Sequence, residues 1–516
     1  MAFLRELQDV LENEYNVGIT ENGAIGYKTS GSALLDINYK VSSLRKFHDC
    51  KVASEFAKVY FEDKILACQW LFFAGDVRKG MGERRLFRVG YRFVAQADPE
   101  IAEKLIPLVA EYTRWDNLFM LVGTRVERKM IDYVKNQFFL DLENEKKGEN
   151  ISLLAKWMPS INSKNKGVKT LAKIFVKEFG FTQKEYRKAL STLRSALKIV
   201  EKDMSNKEWG KIDYEAVPSR ANILYRIAFL RNDEKRRKEF LSSLQKGEAK
   251  INASVLYPYE IIKQYRKGQI YFYRQPLEFQ PDLEELWKAL PNFVENVENT
   301  LCVLDGSGSM TFQVGKTGVT ALDVAQSLAF YFAERFEGEF KNTYITFSTE
   351  PKLVNLKKCK TLRDKMEKAY HYDDACDTNI QKVFELILDT AIKHKMKQED
   401  LPKNLLILSD MEFNSCVTGN SWEGFKKADV RLFEYIAKQF AEYGYKLPKL
   451  IFWNINSRSC VIPVKENESG VVLVSGFSPA IAEMLFTQDI DPLKILLKHL
   501  NSERYLLVAK TIKGEI

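Results

Sequence analysis

A chain of 516 residues is too long for one compact core, so two or three domains are expected. Hydrophobic residues at 45% and charged residues at 28% exclude a disordered chain. No apolar run approaches the roughly 20 residues of a membrane span. The net charge of +9 arises within residues 1–300, and the window 151–200 alone holds eleven bases against two acids. The seven cysteines are scattered without a CxxC pair. That argues against a disulfide framework or zinc knuckle and for a reducing compartment, and together with a mixed polar and apolar start it makes a cytoplasmic location the expectation.

From about residue 45 to 270 apolar positions recur every three or four residues, which predicts amphipathic helices over FAKVYFEDKILACQWLFFAGDV, PEIAEKLIPLVAEY, EYRKALSTLRSALKIVEKDM and SRANILYRIAFLR. Breakers at 78–82, 157–167 and 216–219 separate them. The succession predicts an all-α helical-repeat module of HEAT-like type over residues 1–295. Trp115, Trp157 and Trp209 are expected to fill its core.

Beyond the proline-rich stretch 274–292 the pattern becomes strand and helix in alternation. TLCVLD, NTYITFS, KNLLILSD, KLIFWNI and GVVLVSG read as buried strands, and ALDVAQSLAFYFAERF, NIQKVFELILDTAIKHK, GFKKADVRLFEYIAKQFAEYG and SPAIAEMLF as helices. Near-continuous apolar strands predict a mostly parallel, doubly wound α/β sheet over residues 296–490, followed by a helix or strand extension over 491–516. The predicted class is thus α plus α/β.

Ligands of such folds sit outside the carboxyl ends of the strands. There the sequence places Asp305, Ser307 and Ser309 on one short glycine-spaced loop, Thr378 before a helix, and Asp410 after a very apolar strand. Hydroxyls and carboxylates suit Mg²⁺ or Mn²⁺ rather than zinc. Asp373, Asp374 and Asp377 could support such a site from behind. The ordinary alternative is that these residues only cap turns and helices. DGSGS resembles the DxSxS loop of von Willebrand factor type A domains, TNI their second-loop threonine and LSD their third-loop aspartate. The resemblance implies a Rossmann-like domain whose metal-ion-dependent adhesion site is formed by Asp305, Ser307, Ser309, Thr378 and Asp410.

A helical first half joined to such a domain resembles the Ro autoantigen (TROVE) family, whose helical ring binds noncoding RNA. KWMPS, EYRKALSTLR, WGKIDYEAVPSRA and GDVRKGMGERRLFR are similar to motifs of an uncharacterised family of unknown function found in bacteria, phages and eukaryotes. In the last of these, Arg78, Lys79, Arg84 and Arg85 accompany glycines whose free N–H groups could hold phosphate, although the segment is not a Walker A loop. Lys164, Lys166, Lys169, Lys173 and Lys177 lie in the basic window, where acids that would pair with them along a helix are nearly absent. A solvated face is the alternative. Tyr257 to Pro276 interleaves aromatics with bases as single-strand stacking requires. No catalytic constellation emerges from the four separated histidines. The expectation is a non-enzymatic, Ro-like RNA-binding protein with a Mg²⁺ or Mn²⁺ site for an acidic protein partner, and with no membrane or small-molecule substrate. The alternative is a metal-dependent adaptor without RNA.

Overall fold

The computed structural model describes residues 15–267, 275–297, 299–315, 317–372, 377–414, 417–418, 426–427, 432–463, 470–486 and 491–515. The chain forms two compact units: residues 1–51 with 256–501, and residues 52–255 with 502–516. The divisions therefore fall at 51, 255 and 501, whereas the sequence placed them at 295 and 490. The last segment is two helices, Pro492–Leu500 in the first unit and Glu503–Lys513 in the second.

The first unit is α/β. Its strands are β1 (Val17–Ile19), β2 (Ile25–Tyr27), β3 (Thr300–Asp305), β4 (Thr343–Phe347), β5 (Lys352–Asn355), β6 (Asn404–Ser409), β7 (Val417–Thr418), β8 (Lys426–Lys427), β9 (Lys449–Asn454) and β10 (Val471–Ser475). Six form one mixed sheet in the order β10-β9-β6-β3-β4-β5, parallel except where β5 runs antiparallel to β4. Every residue of β3, β4 and β10 is buried, so both sheet faces are covered, as their apolar sequences require. The helix Ala321–Arg335, capped by Thr320 and Asp323, crosses from β3 to β4 and packs on both. The chain then turns back to place β6 on the other side of β3, so the strand order reverses between β3 and β6. In open α/β sheets that reversal opens a crevice at the strand ends. The predicted helix over SPAIAEMLF is a 3₁₀ segment, Pro479–Met484, because its early proline and short length limit it to a turn or two.

The pairing of β1 with β2 makes a small hairpin that docks onto this same unit. Tyr27 and Ile462 exchange backbone N–H···O bonds of 2.8 Å. Gly26 lies against them so closely that a Cβ would stand 2.7 Å from the Ile462 carbonyl oxygen. The following helix, Ala33–Leu44, packs on β10 and β9.

The second unit is helical. The long helix expected over residues 56–77 breaks at Asp63, whose carboxylate caps Lys64–Gly75 by accepting from the N–H groups of Ile65 and Leu66 at 2.9 Å. The helix expected over 185–204 likewise divides into Gln183–Ala196, started by a Thr182–Glu185 capping box, and Val200–Ser205. Pro99–Tyr112 and Ser219–Asn232 form where the periodicity placed them. Glu503–Lys513 closes this unit: fully buried Asp76 accepts from Arg504 Nε at 2.5 Å and from the Tyr505 hydroxyl at 3.1 Å, and Gln69 donates to the Tyr505 carbonyl.

Candidate metal centre and basic face

The loop after β3 and the loop after β6 lie side by side because β3 pairs with β6 from Thr300↔Asn404 to Leu304↔Leu408. One residue further, Asp305 is fully buried and accepts from the Ser307 N–H at 2.9 Å and from the Ser409 hydroxyl at 2.5 Å. Ser307 Oγ and Ser309 Oγ stand 3.1 Å apart, with the Ser309 hydroxyl near enough to the Asp410 carboxylate to favour its charged form. The structure thus brings Asp305, Ser307, Ser309 and Asp410 into one linked group. Thr378, also buried, joins it through Asn22, whose side-chain amide donates to Thr378 Oγ1 at 3.2 Å and to the Glu412 carbonyl at 2.6 Å. Thr378 does not cap the following helix, Gln381–Lys393, which starts three residues later. Asp377 stands behind it, accepting from the Thr378 N–H and from the Asn414 side chain. Asp373 and Asp374 lie outside the described residues.

Electrostatically the group is short of positive charge. Burial, reinforced by the neighbouring Asp410 charge, pushes the Asp305 carboxyl up to about 7, and burial likewise raises Asp410. Among the described residues no cation bonds Asp305. Asp410 has one, Arg458, whose Nη1 lies 2.9 Å from Asp410 Oδ2 while its Nε reaches Glu21 at 2.6 Å on the tip of the β1–β2 hairpin. Buried Glu412 accepts at one oxygen from the N–H groups of Arg458 and Ser459 and the hydroxyls of Ser457 and Ser459, and at the other from the Glu21 N–H. Between the two acids Met411 takes a left-handed φ of 62°, a strained conformation for a residue with a side chain.

Among the described residues no group of three or more His, Cys, Asp or Glu side chains is placed to hold a metal. A cation at this crevice therefore depends on two carboxylates and three hydroxyls, an all-oxygen set whose chemistry fits Mg²⁺ or Mn²⁺. The sequence reading missed Arg458, Glu412 and the hairpin residues Glu21 and Asn22. The acid two residues after Asp410 was the available signal for Glu412; Glu21 and Asn22 are hundreds of residues from their partners, and Arg458 lies 48 residues past Asp410 on a separate loop.

In the helical unit, Lys166, Lys169, Lys173 and Lys177 project from one side of the helix Lys166–Glu178, opposite buried Ala172, Phe175 and Val176, with Lys164 just before it. All five are exposed, and among the described residues none makes a side-chain ion pair. Lys184, Arg187 and Lys188 continue the exposed basic surface. A cavity of about 500 Å³ opens beside it, lined by Ser160, Asn162, Arg187, Arg194, Lys202 and others. The glycine-basic loop is anchored from below: Asp76 accepts from the Arg78 N–H, Arg78 Nη1 donates to the Glu111 carbonyl, and a Cβ on Gly80 would collide with the Phe73 carbonyl. Arg78, Lys79 and Arg85 are exposed and Arg84 is half-buried.

Two aromatic expectations change. Trp157 is half-exposed under the Arg114 guanidinium, 3.7 Å from the ring centre, and Trp209 is half-exposed as well, so of the three tryptophans only Trp115 fills the core. In the Tyr257–Pro276 stretch, Tyr257 and Tyr265 are buried and Tyr259 packs on Phe477, so these rings belong to the core of the first unit; residues 268–274 lie outside the described residues. No described helix is long and apolar enough to cross a membrane.

An uncharacterized protein of Acanthamoeba polyphaga mimivirus is 30% identical over 545 aligned residues, covering 97% of this chain and 90% of the viral one. This chain belongs to the same family. Two family profiles match as well, both described as domains of unknown function: DUF2828 over residues 176–290 and DUF7788 over residues 299–498. The second covers β3 to β10 and the whole linked carboxylate group; the first begins inside the basic helix and ends just before the sheet. The family thus spans both candidate sites and assigns a role to neither.

Proposed function

We propose that this protein binds RNA through its helical unit, as Ro-like proteins do, and that its α/β unit is a von Willebrand A-like domain whose Mg²⁺ or Mn²⁺ site serves contact with a protein partner. It is read as non-enzymatic. The observation that carries the RNA reading is the lysine face. Five exposed lysines, four of them on one helix and none paired with a carboxylate among the described residues, concentrate charge where a soluble helix ordinarily interleaves both signs. Such a face attracts phosphates and releases their counterions on binding.

For the metal, Asp305, Ser307, Ser309, Thr378 and Asp410 would hold the ion, directly or through water. Bound there, it would supply positive charge beside the buried carboxylates and an open position for an acidic side chain of a partner. The RNA reading is tested by fluorescence anisotropy of the purified full chain with a single-stranded RNA across a salt series, alongside sequencing of nucleic acid that copurifies. The expected result is a linear fall of log affinity with log salt, by about 0.7 per phosphate contact. Absence of RNA binding at low salt would overturn it.

A further inference from the structure

In the helical unit four arginines from three separate segments face one another. Arg84 is the first residue of the helix Arg84–Ala97 and Arg88 lies one turn on; Arg114 precedes the 3₁₀ segment Trp115–Leu121; Arg220 is the second residue of Ser219–Asn232. Asp116 lies among them and is already shared: Arg88 Nη2 approaches it at 2.8 Å, and Arg114 forks onto both of its oxygens. Arg84 is left half-buried with no side-chain hydrogen bond or ion pair among the described residues. Burial, and then the charges of Arg114, Arg220 and Arg88, hold its pKa below the usual guanidinium value.

Two further features point the same way. Asn117 is fully buried beside the cluster; its Oδ1 accepts from Arg88 Nε at 2.7 Å while its Nδ2 has no partner. Buried amide N–H groups are rarely left unmet. Arg84 and Arg220 also stand in the first turns of 14-residue helices, where the macrodipole disfavours cations and favours anions, and neither N-cap residue, Glu83 or Pro218, makes a side-chain cap. Trp157 adds a flat, half-exposed ring already stacked with Arg114 and approached by Lys156.

We propose that Arg84, Arg88, Arg114, Arg220 and Asn117 form a phosphate-binding site bordered by Trp157. Guanidinium groups bind phosphate oxygens bidentately, and a phosphate there would give Arg84 the anionic partner it lacks among the described residues. The inference deepens the RNA reading, on which it rests only for what carries the phosphate: a nucleic-acid backbone or a small phosphorylated molecule. It is independent of the lysine face.

The test uses the full chain and three variants: Arg84→Met, Arg84→Lys, and a triple variant with Lys169, Lys173 and Lys177 changed to Gln. Arg84→Met removes a side chain that makes no bond, so folding is expected to be unharmed and the melting temperature unchanged or raised. Each protein is titrated calorimetrically with pyrophosphate and by anisotropy with a single-stranded RNA. The proposal expects pyrophosphate to bind wild type, Arg84→Met to weaken it about tenfold or more, Arg84→Lys to restore part of the loss, and the triple variant to keep it. If Arg84→Met also weakens RNA, the carrier is a nucleic-acid backbone. If RNA affinity is unmoved while pyrophosphate binding falls, the site stands and takes small phosphates. Failure of the lysine variant to affect RNA would count against the RNA reading alone. Equal pyrophosphate affinity in wild type and Arg84→Met, or none in wild type, would overturn the site.

Discussion

In the α/β unit two carboxylates, Asp305 and Asp410, are buried at adjoining strand ends with one guanidinium, Arg458, turned toward Asp410. In the helical unit Arg88 and Arg114 share the Asp116 carboxylate, and Arg84 beside them bonds none among the described residues. The imbalances are opposite in sign and differ in construction. The acidic one is buried apart from half-exposed Ser309 and built from loops whose position the parallel strands fix, so it suits a small ion held at defined points. The basic one, with the lysine face, is half-open and carried on helix surfaces, so it suits an extended or polyatomic anion. Like charges brought together without partners disfavour folding. On the proposed reading, each unit would be stabilised by a ligand the other would repel.

The largest effect should come from Asp305→Ala, which removes the buried carboxylate that no cation bonds among the described residues. Mn²⁺ binding followed by electron paramagnetic resonance is expected to disappear, and Thr378→Ala should lose most of it. The metal-free melting temperature at alkaline pH, where the Asp305 carboxyl is ionised, should hold or rise, because a buried charge has been removed. Unchanged Mn²⁺ binding in both variants would refute the metal centre. Arg458→Met makes the complementary cut. It leaves Asp410 and Glu21 without their shared cation and is expected to cost about 3 kcal/mol in metal-free denaturant unfolding. Added Mg²⁺ should recover much of that loss in Arg458→Met and little of it in a double variant with Asp305→Ala.

On the basic side, Lys169, Lys173 and Lys177 replaced together by Gln should lower the salt slope of RNA binding by roughly 2. Helix content should not change, since Gln and Lys have similar helix propensity. Circular dichroism and anisotropy separate these outcomes. An unchanged slope would leave the lysines as a solvated face.

How much of this was readable in advance follows from where the information sits. β3, β4, β6, β9 and β10 were legible because burial on both faces demands unbroken apolar runs, and Asp305 and Asp410 stood out as the acids that end two of them. β5 was not. Its KLVN sequence alternates and leaves Leu353 exposed, as an edge strand can, so nothing in it reads as buried sheet. The hairpin strands β1 and β2 are three residues each and take their place from bonds to Phe413 and Ile462, almost 400 residues on or more. Asp76 and Arg504 are likewise joined only by the fold. The lysine face was visible because charge periodicity is local. The arginine cluster was not, since Arg84, Arg114 and Arg220 meet only when three separate segments pack.

The smallest effect should be that of Asn22→Ala, and it sharpens the comparison by touching one unit alone. Asn22 makes two hydrogen bonds, to Thr378 Oγ1 and to the Glu412 carbonyl, and both acceptors are among the groups that shape the acidic crevice. Losing them should cost about 1–2 kcal/mol of stability, since neutral hydrogen bonds contribute roughly 1 kcal/mol each and the site is reached by water once the amide is gone. The Thr378 hydroxyl, freed of one donor, has a lone pair more to offer a cation. Mn²⁺ affinity should therefore rise by a few fold even as the fold weakens, a combination that general destabilisation cannot produce. RNA affinity and its salt slope should not move. A fall in Mn²⁺ affinity would mean that the hairpin amide helps to orient Thr378 for the cation, and a parallel change in RNA binding would show that the acidic and basic imbalances are not independent.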